Sequence, residues 1–337
     1  MALKKFSGKP KSEQPVPVKK RLSLDGVTEE PVIDYLDHAP TSPIFTYTDG
    51  LFQSVPRSKS DAPLDVTAKR TKTPIYIRFQ APFQLGVEEQ SVFYYLCQRA
   101  TQSGAVLDGK SEKAKEYADS LGISGYETMP PIVGYRIRAT EIVSGLGLDP
   151  TGPNTIAIKT RLSRLAQVTM SRFNGVDGDG PFTPRTRLIG VSPRDDGTVA
   201  VLLNPEASAC ITGRKGVVWV NMREQRQLAS KPSRRLHAWF CAWASSHEIR
   251  KVAMEKLVKH IWGQQPGTRQ LKNSRMEILR KVITDIAALP GWVCIVDSVA
   301  DNLYVRKPLF VGTTMESVVS RIANVEMPDS FVASLSA

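Results

Sequence analysis

Apolar residues recur at helical spacing in two pairs of segments, and each pair predicts a short helix, a turn and a longer helix. Residues 139–147 and 154–168 form the first pair, and residues 252–261 and 268–289 form the second. Glycine and proline between the members of each pair predict the turns. This order of elements is typical of a helix-turn-helix unit. The hydrophobic pattern therefore predicts two such units in one chain.

Each long helix is followed by two runs of strand-forming residues. Residues 170–174 and 185–192 flank a tip rich in glycine and aspartate at 175–180, and residues 292–297 and 303–306 flank a short polar loop. Runs of this kind around a turn predict β-hairpins. A hairpin beside the second helix of a helix-turn-helix unit is the wing of a winged-helix domain. We therefore predict an α+β fold with two tandem winged-helix domains.

The composition of the chain changes along its length and predicts four segments. The first 40 residues hold many charges and prolines and little apolar surface, too little to offset the entropy lost on ordering. We predict a disordered basic/acidic tail over residues 1–40, an N-terminal winged-helix domain over 41–205, a C-terminal winged-helix DNA-binding domain over 206–308, and a C-terminal tail over 309–337.

Positive charge is concentrated in the third of these segments. The chain carries a net charge of +12, and residues 206–307 hold 18 lysines and arginines against 8 aspartates and glutamates. A uniformly solvated surface does not require such a concentration, whereas a surface that binds a polyanion does. No uncharged apolar run approaches the length of a membrane span, and no secretory h-region follows the N-terminus. We expect a cytoplasmic protein that binds nucleic acid.

The second long helix has an apolar stripe and a polar stripe. Five residues at helical spacing are predicted to face the core, namely Leu271, Ile278, Val282, Ile286 and Leu289. Four residues on the opposite stripe are predicted to face DNA, namely Arg269, Asn273, Met276 and Arg280. Arginine and asparagine match the edges of guanine and adenine in the major groove. We therefore predict that this helix reads bases, with an ordinary solvated face as the alternative.

Further polar and basic residues are candidates for contacts with the phosphate backbone. In the C-terminal domain they are Lys272, Arg275, Arg234, Arg235 and Lys256. In the N-terminal domain the long helix offers Lys159, Ser163 and Arg164, and its hairpin offers Arg172, Arg185 and Arg187. Phosphate contacts position a protein on DNA without specifying a sequence. Because Asp177 and Asp179 lie in the hairpin tip, we expect the N-terminal domain to bind DNA more weakly, or to contact a second protomer instead.

One stretch matches a nucleotide-binding motif letter by letter. Gly104–Ser111 fits the Walker A pattern, which needs a strand before the loop and a helix after it. Residues 88–102, however, are predicted as a helix, so we favour a polar connecting loop and keep a P-loop as the minor alternative. The histidines form no zinc motif, the four cysteines lie far apart, and no nucleophile elbow occurs. We expect no enzyme activity, no cofactor and no metal site.

Five stretches in order along the chain resemble one family of replication proteins. They are Asp49–Phe52, Leu202–Pro205, Arg235–Trp243, Leu279–Trp292 and Arg306–Pro308. Together they are similar to RepC, the replication initiators of IncQ-type broad-host-range plasmids. The resemblance is carried by the collinear set, since no single motif is specific. The N-terminal tail and the segment after Leu309 depart from the shorter family plan.

The resemblance implies a function and partners. The family consists of two winged-helix domains that bind direct repeats (iterons) at the origin of vegetative replication. It helps to open AT-rich DNA and brings in a separate plasmid or host replicative helicase, which hydrolyses ATP. A plasmid-encoded bacterial protein is therefore expected, with double-stranded origin DNA and a helicase as partners, a homodimer away from DNA and no membrane contact. Two other interpretations stay open, namely a winged-helix transcriptional repressor and, less favoured, a P-loop NTPase acting on DNA.

Overall fold

The structure of the chain is a computed structural model. It describes residues 37–54, 62–69, 75–107, 121–122, 132–174, 183–213, 216–246, 248–297 and 299–308. The predictions for residues 1–36, for the hairpin tip at 175–180 and for the segment 309–337 lie outside the described residues. So do residues 108–111 of the Walker A match.

The helices of the described residues range from 5 to 19 residues in length. In chain order they are α1 (Pro43–Tyr47), α2 (Val87–Ser103), α3 (Ala139–Gly145), α4 (Gly152–Gln167), α5 (Pro205–Ile211), α6 (Met222–Gln227), α7 (Lys231–Trp243), α8 (Met254–Trp262) and α9 (Arg269–Ala287). The two predicted short–long pairs are α3 with α4 and α8 with α9. Both pairs are confirmed, with ends that differ from the prediction by one or two residues.

The strands form small sheets in which nearly all neighbours are antiparallel. They are β1 (His38–Thr41), β2 (Phe52–Gln53), β3 (Leu64–Lys69), β4 (Ile75–Ala81), β5 (Leu85–Gly86), β6 (Ala105–Leu107), β7 (Ile132–Arg138), β8 (Thr169–Asn174), β9 (Thr183–Arg187), β10 (Ile189–Pro193), β11 (Thr198–Leu203), β12 (Val218–Asn221), β13 (Arg250–Ala253), β14 (Val293–Asp297) and β15 (Asn302–Arg306). The predicted mixture of helices and small sheets is confirmed.

The C-terminal unit runs from α7 through β13, α8 and α9 to the β14–β15 hairpin. Its sheet has the order β13-β15-β14, with Val252 opposite Leu303 and Cys294 opposite Val305. Val252, Leu303 and Val305 are buried, so one face of this sheet covers the helices. The hairpin lies where the sequence predicted it, whereas β13 was not predicted, because residues 252 and 253 were assigned to the start of the short helix.

The N-terminal unit follows the same plan with one correction. It runs from α2 through β7, α3 and α4 to the β10–β11 hairpin, and the sheet order β7-β11-β10 matches that of the C-terminal unit. The predicted wing at 170–174 and 185–192 is not this hairpin. Its strands β8 and β9 belong to a separate sheet of order β3-β4-β8-β9. The predicted strand 185–192 is split at the buried residue Leu188, whose N–H donates to Val168 O at 2.8 Å.

The turn between α8 and α9 is built from residues that suit it. Gly263 adopts a φ of +76°, which residues with a side chain disfavour, and its N–H donates to Lys259 O at 2.8 Å. A Cβ atom at this position would lie 2.5 Å from the side chain of Gln53. At the start of α9, Thr268 Oγ1 accepts a hydrogen bond from Leu271 N–H at 3.2 Å. The glycine therefore both ends α8 and lets the segment around Gln53 pack against it.

The buried apolar residues of both units form one continuous cluster. Strand β1 pairs with β12, with Ala39 opposite Val220, so residues 38–40 belong to the fold rather than to the predicted tail. Helix α7 lies centrally, in contact with α1, α2, α8 and α9. The division of the chain into two domains at residue 205 stays a prediction.

Candidate nucleic-acid interface

Helix α9 presents four of the predicted contact residues to solvent, and it buries a fifth. Arg269, Lys272, Asn273 and Arg280 are exposed. Met276, predicted to contact a base, is only 7% exposed and belongs to the core. The predicted core residues Leu271 and Ile278 are instead 41% and 39% exposed. The prediction of which side of the helix faces the core is therefore wrong in part.

The error arises because α9 has apolar residues on two adjacent stripes. Packing against α7 and α8 buries the stripe that contains Leu279 and Ile283, together with Val282 and Ile286. Relative to the prediction, the buried side is turned by roughly 80°, at 100° per residue. Periodicity indicates that such a helix is amphipathic, but it cannot choose between two neighbouring stripes of similar hydrophobicity.

Two basic residues near the start of α9 already have partners. Lys272 Nζ lies 2.8 Å from Glu255 Oε1 on α8, and both side chains are exposed, so the pair contributes little to stability. Arg275 lies with its Cζ 5.2 Å from the ring centre of Trp262 and donates from Nη1 to Gln264 O at 3.0 Å. Burial lowers the pKa of the Arg275 guanidinium. The Lys272 ammonium can leave the Glu255 carboxylate and bind a phosphate. Arg275 instead stabilises the turn between α8 and α9.

The predicted phosphate contacts on α7 are corrected by the structure. Arg235 is 0% exposed, and it donates hydrogen bonds to Thr46 O at 3.0 Å and Thr48 O at 3.3 Å. Burial lowers the pKa of its guanidinium. Arg234 is half-buried and donates to Ala229 O at 3.3 Å. A residue without solvent contact cannot reach DNA, so Arg235 is a structural residue; Lys256 on α8 is exposed as predicted.

Other polar side chains of α7 join it to the rest of the C-terminal unit. His237 Nε2 lies 2.6 Å from Glu224 Oε2, which also accepts a 3.0 Å hydrogen bond from Trp292 Nε1. Burial by itself raises the pKa of Glu224, but the hydrogen bonds from His237 and Trp292 outweigh it and lower that pKa. Ser233 Oγ donates to Asp285 Oδ2 on α9 at 2.7 Å. The sequence signalled none of these pairs, because their members are far apart along the chain.

Helix α4 occupies the same place in the N-terminal unit as α9 does in the C-terminal unit. At 100° per residue, one face of α4 presents the exposed residues Ile156, Lys159, Thr160, Ser163 and Gln167. Ile156 is 66% exposed, although it lies near the start of a helix with a well-buried opposite face. This face carries a single charge and no carboxylate among the described residues.

Arg164 is not part of the exposed face of α4. Its Nε lies 3.1 Å from Glu89 Oε1, and its Cζ lies 4.1 Å from the ring centre of Phe83. A second nitrogen of the guanidinium donates to Gln84 O. The charge is therefore satisfied within the fold, and the predicted DNA contact of Arg164 is corrected.

The three arginines predicted on the first hairpin lie on two faces of the sheet. Arg185 and Arg187 on β9 are exposed. Arg172 on β8 is half-buried and pairs in register with Ile77, whose side chain belongs to the core. Because successive side chains of a strand alternate between faces, Arg172 points away from the face that carries Arg185 and Arg187.

The β10–β11 and β14–β15 hairpins have acidic tips. Asp195 and Asp196 lie between β10 and β11, and Asp297 and Asp301 flank the turn between β14 and β15. Asp196 Oδ1 accepts a 2.9 Å hydrogen bond from Thr198 N–H, and Asp297 Oδ1 accepts a 3.0 Å bond from Val299 N–H. These carboxylates form the turns, and they repel phosphate. The tips of these two hairpins therefore suit duplex DNA less well than the exposed faces of α4 and α9.

The Walker A match lacks the strand that should precede it. Gly104 follows α2 directly, so a helix comes before the match, and its residues 105–107 form β6. A Cβ atom on Gly104 would lie 2.3 Å from Ala100 O and 2.7 Å from Val133 Cγ1, which explains the glycine by packing. Within the described part of the chain there is no cluster of three metal-ligating residues. No described helix is both long and apolar enough to cross a bilayer.

The sequence matches a known family over most of its length. The family model of replication protein C (RepC) matches residues 33–308, which include both helix-turn-helix units. The chain belongs to the RepC family. This RepC-family chain is a replication initiator, which confirms the coarser part of the prediction drawn from the resemblance.

Solved structures with a similar chain path include two of RctB. The structure of RctB domains 2 and 3 aligns with 80% of this RepC-family chain, and the alignment includes 99% of the RctB chain, at 10% identity and a TM-score of 0.48. A second RctB structure of the same domains covers 83% and 100%, at 11% identity and a TM-score of 0.46. No curated protein sequence matches the chain.

Proposed function

We propose that this chain is a plasmid replication initiator of the IncQ type that recognises repeated duplex DNA through two winged-helix units. The observation that carries the proposal is the plan shared by the two units. In each, a strand, two helices and a hairpin follow in order, and the hairpin joins the first strand in the same sheet order. Helices α4 and α9 take the place of the recognition helix, which enters the major groove in this fold.

Helix α9 supplies the larger part of the base contacts in this proposal. Arg269, Asn273 and Arg280 are exposed on one side of it, and arginine and asparagine form paired hydrogen bonds with guanine and adenine. Lys256 and Lys272 contact phosphates beside this helix, the latter after leaving Glu255. The positive charge of residues 206–307 attracts the duplex and makes binding salt-dependent.

Helix α4 supplies a second, less charged surface. Lys159, Thr160 and Ser163 are small or flexible donors that suit base edges and phosphates, and Ile156 suits the methyl group of thymine. The acidic hairpin tips stand away from the phosphates, so recognition rests on helices rather than wings. Two polar helix faces on one chain match a repeat that spans more than one turn of duplex.

The later steps of initiation are inferred from the resemblance of this chain to the IncQ initiators. They are the binding of iterons, the opening of AT-rich DNA and the recruitment of a separate helicase that hydrolyses ATP. On this proposal the chain is not an enzyme and needs no cofactor. The helix α2 directly before Gly104, where a P-loop needs a strand, supports the absence of a P-loop.

Footprinting of the full chain on its own plasmid's origin tests the proposal, at moderate salt with random DNA as competitor. Regularly spaced protection over direct repeats is the expected result. A single palindromic footprint beside a promoter would instead identify a repressor. Saturable ATP binding that is lost in Lys110→Ala would identify an NTPase and overturn the assignment of a non-enzymatic initiator.

A further inference from the structure

The sheet of order β3-β4-β8-β9 has a face that the shared winged-helix plan does not use. Its inner face carries Leu64, Ile77, Phe79 and Met170, which are buried in the core. Its outer face carries the alternate residues of each strand, of which Ser171 and Phe173 are buried, and is called the outer sheet face below. Its members are Asp65, Thr67, Lys69, Tyr76, Arg78, Gln80, Thr169, Ser171, Phe173, Arg185 and Arg187.

Strand register arranges the outer sheet face in three rows. Lys69, Tyr76 and Phe173 are opposite one another in the first row. Thr67, Arg78, Ser171 and Arg185 form the second row, and Asp65, Gln80, Thr169 and Arg187 form the third. Rows two residues apart along a strand are about 6.8 Å apart. This spacing is close to the distance between successive phosphates of an extended single strand.

An aromatic pair occupies the first row. The rings of Tyr76 and Phe173 are parallel, with an interplanar angle of 2° and centroids 5.6 Å apart. Phe173 is buried and holds Tyr76 in place, while Tyr76 is half-buried. Lys69, on the neighbouring strand opposite to Phe173, lies over the Tyr76 ring with its Nζ 5.9 Å from the ring centre. The row therefore combines a fixed aromatic ring with an exposed cation over it.

The rest of the outer sheet face is basic. Arg185 and Arg187 are exposed on the edge strand β9, and neither guanidinium has a partner among the described residues. Arg78 Nε donates to Asp65 Oδ1 at 2.7 Å, and Gln80 Nε2 donates to Asp65 Oδ2 at 3.4 Å. Asp65 is the one carboxylate on this face, and it lies on the edge opposite to β9. Four cations against one carboxylate favour a polyanion.

We propose that the outer sheet face is a binding site for single-stranded DNA, separate from the duplex-reading helices. A base displaces the exposed Lys69 side chain and stacks on Tyr76, and the phosphates of the same strand run past Arg78, Arg185 and Arg187. An aromatic ring surrounded by cations is the arrangement with which proteins hold single strands without reading sequence. In a duplex the faces of the bases are covered by their neighbours, so Tyr76 would have nothing to stack on. The site therefore selects a strand that has left its partner.

The first test measures the affinity of the full chain for a fluorescent oligodeoxythymidine and for a duplex carrying the origin repeat. The sequence predicted Arg185 and Arg187 as phosphate contacts of the duplex, but β9 belongs to a sheet separate from that of the N-terminal unit. On the present proposal, the variant Arg185→Ser/Arg187→Ser should bind oligodeoxythymidine at least about tenfold more weakly, with a salt slope smaller by about 1.4, while it keeps its affinity for the duplex. Arg280→Ala should show the opposite pattern. Arg223→Ser, which removes an exposed guanidinium on α6, is the matched control and should change neither affinity.

The second test examines stacking on Tyr76. Tyr76→Ala should weaken binding of oligodeoxythymidine by about fivefold or more, whereas Tyr76→Phe, which keeps the ring and its packing, should not. Irradiation of an oligonucleotide containing 5-iododeoxyuridine should crosslink the base to Tyr76, as identified by mass spectrometry of the peptide. The crosslink keeps the test decisive if Tyr76→Ala fails to fold.

Three results would overturn the proposal. The first is that the wild-type chain does not bind oligodeoxythymidine at low salt. The second is that the double arginine variant loses affinity equally for the single strand and for the duplex. The third is a crosslink that maps away from the outer sheet face. None of these results affects the footprint on the repeats, so this proposal and the proposed duplex recognition fail separately.

Discussion

Arg235 Nη1 donates a 3.0 Å hydrogen bond to the carbonyl oxygen of Thr46, in a place that solvent does not reach. A second nitrogen of the same guanidinium donates to Thr48 O at 3.3 Å. The end of α1 leaves carbonyl groups without helical partners, and Arg235 satisfies two of them. The charge and sequence position of Arg235 predicted a phosphate contact. In the structure, Arg235 instead joins the N-terminal segment to α7.

Replacing Arg235 by methionine should destabilise the chain rather than weaken its binding to DNA. The variant keeps an unbranched apolar side chain but leaves the carbonyls of Thr46 and Thr48 without donors in the core. Each unsatisfied group costs about 1–3 kcal/mol, so the free energy of unfolding should fall by about 2–6 kcal/mol. Urea unfolding measures this loss, with Arg234→Met as the partly exposed control. Unchanged stability with weaker non-specific DNA binding would restore the phosphate role.

Arg280 and Lys272 should affect DNA binding in different ways. Arg280→Ala should weaken binding to the repeat by about 1–3 kcal/mol and relax the preference for one base pair, because a guanidinium reads guanine with two hydrogen bonds. Lys272→Ala should weaken binding to all duplexes about equally and reduce the salt slope. Affinities for the repeat and for random DNA at several salt concentrations measure both effects.

Met276 on the same helix provides the control for this prediction. Because Met276 is buried, Met276→Ala should lower stability by about 2–5 kcal/mol and leave the ratio of specific to random binding unchanged. If Arg280→Ala lost equal affinity for the repeat and for random DNA, Arg280 would be a phosphate contact. If Met276→Ala lost specificity without losing stability, Met276 would face DNA, which would contradict the orientation of α9 described above.

Ile156 should contact a thymine methyl group when α4 enters the groove. Replacing the contacted thymine by uracil removes that methyl group, and the affinity of the wild-type chain should fall by about fourfold. The chain with Ile156→Ala should already lack the contact and should not distinguish the two bases. Scanning uracil through the repeat and measuring each affinity provides the test.

The control for Ile156 is Ile249→Ala, which removes an exposed isoleucine outside both helix faces. This variant should keep the full response to uracil. A uracil scan without any effect on the wild-type chain would exclude methyl recognition by α4 and leave the contacts of α9 untouched.

Glu224 should make stability fall in acid. Its pKa is below the ordinary value of about 4.3, so it stabilises the fold fully above that pH, and this contribution is lost as the pH falls through the lowered pKa. Glu224→Gln should therefore have a flatter dependence of unfolding free energy on pH below about 4. Urea unfolding at a series of pH values measures the slope, with the exposed Glu248→Gln as control. An unchanged slope in Glu224→Gln would show that the pair with His237 does not titrate with unfolding.

Much of the local structure could be predicted from the sequence, because its causes are local. The apolar spacing within α4 and α9 predicted both long helices, and the runs around residues 298–301 predicted the C-terminal hairpin. The wing of the N-terminal unit could not be predicted in this way. Two hairpins follow α4, and only pairing with β7 decides which of them completes the unit.

The candidate interface was predicted less well than the elements that carry it. Periodicity placed Arg269, Asn273 and Arg280 on α9, and all three are exposed. It could not show that Arg164 is paired with Glu89, because the partner is a distant residue on another helix. Charge along the chain indicates where a basic surface forms, but it does not indicate which arginines remain free.

The sequence by itself determined the two helix-turn-helix units, the basic C-terminal segment and membership of the RepC family. These properties rest on spacing, composition and order along the chain, which need no knowledge of packing. Only the tertiary structure decided that Met276 is buried, that Arg235 ends in the core and that β8 and β9 form a separate sheet with β3 and β4. Each of these depends on a partner brought close by folding, because burial and hydrogen bonding are properties of neighbours in space.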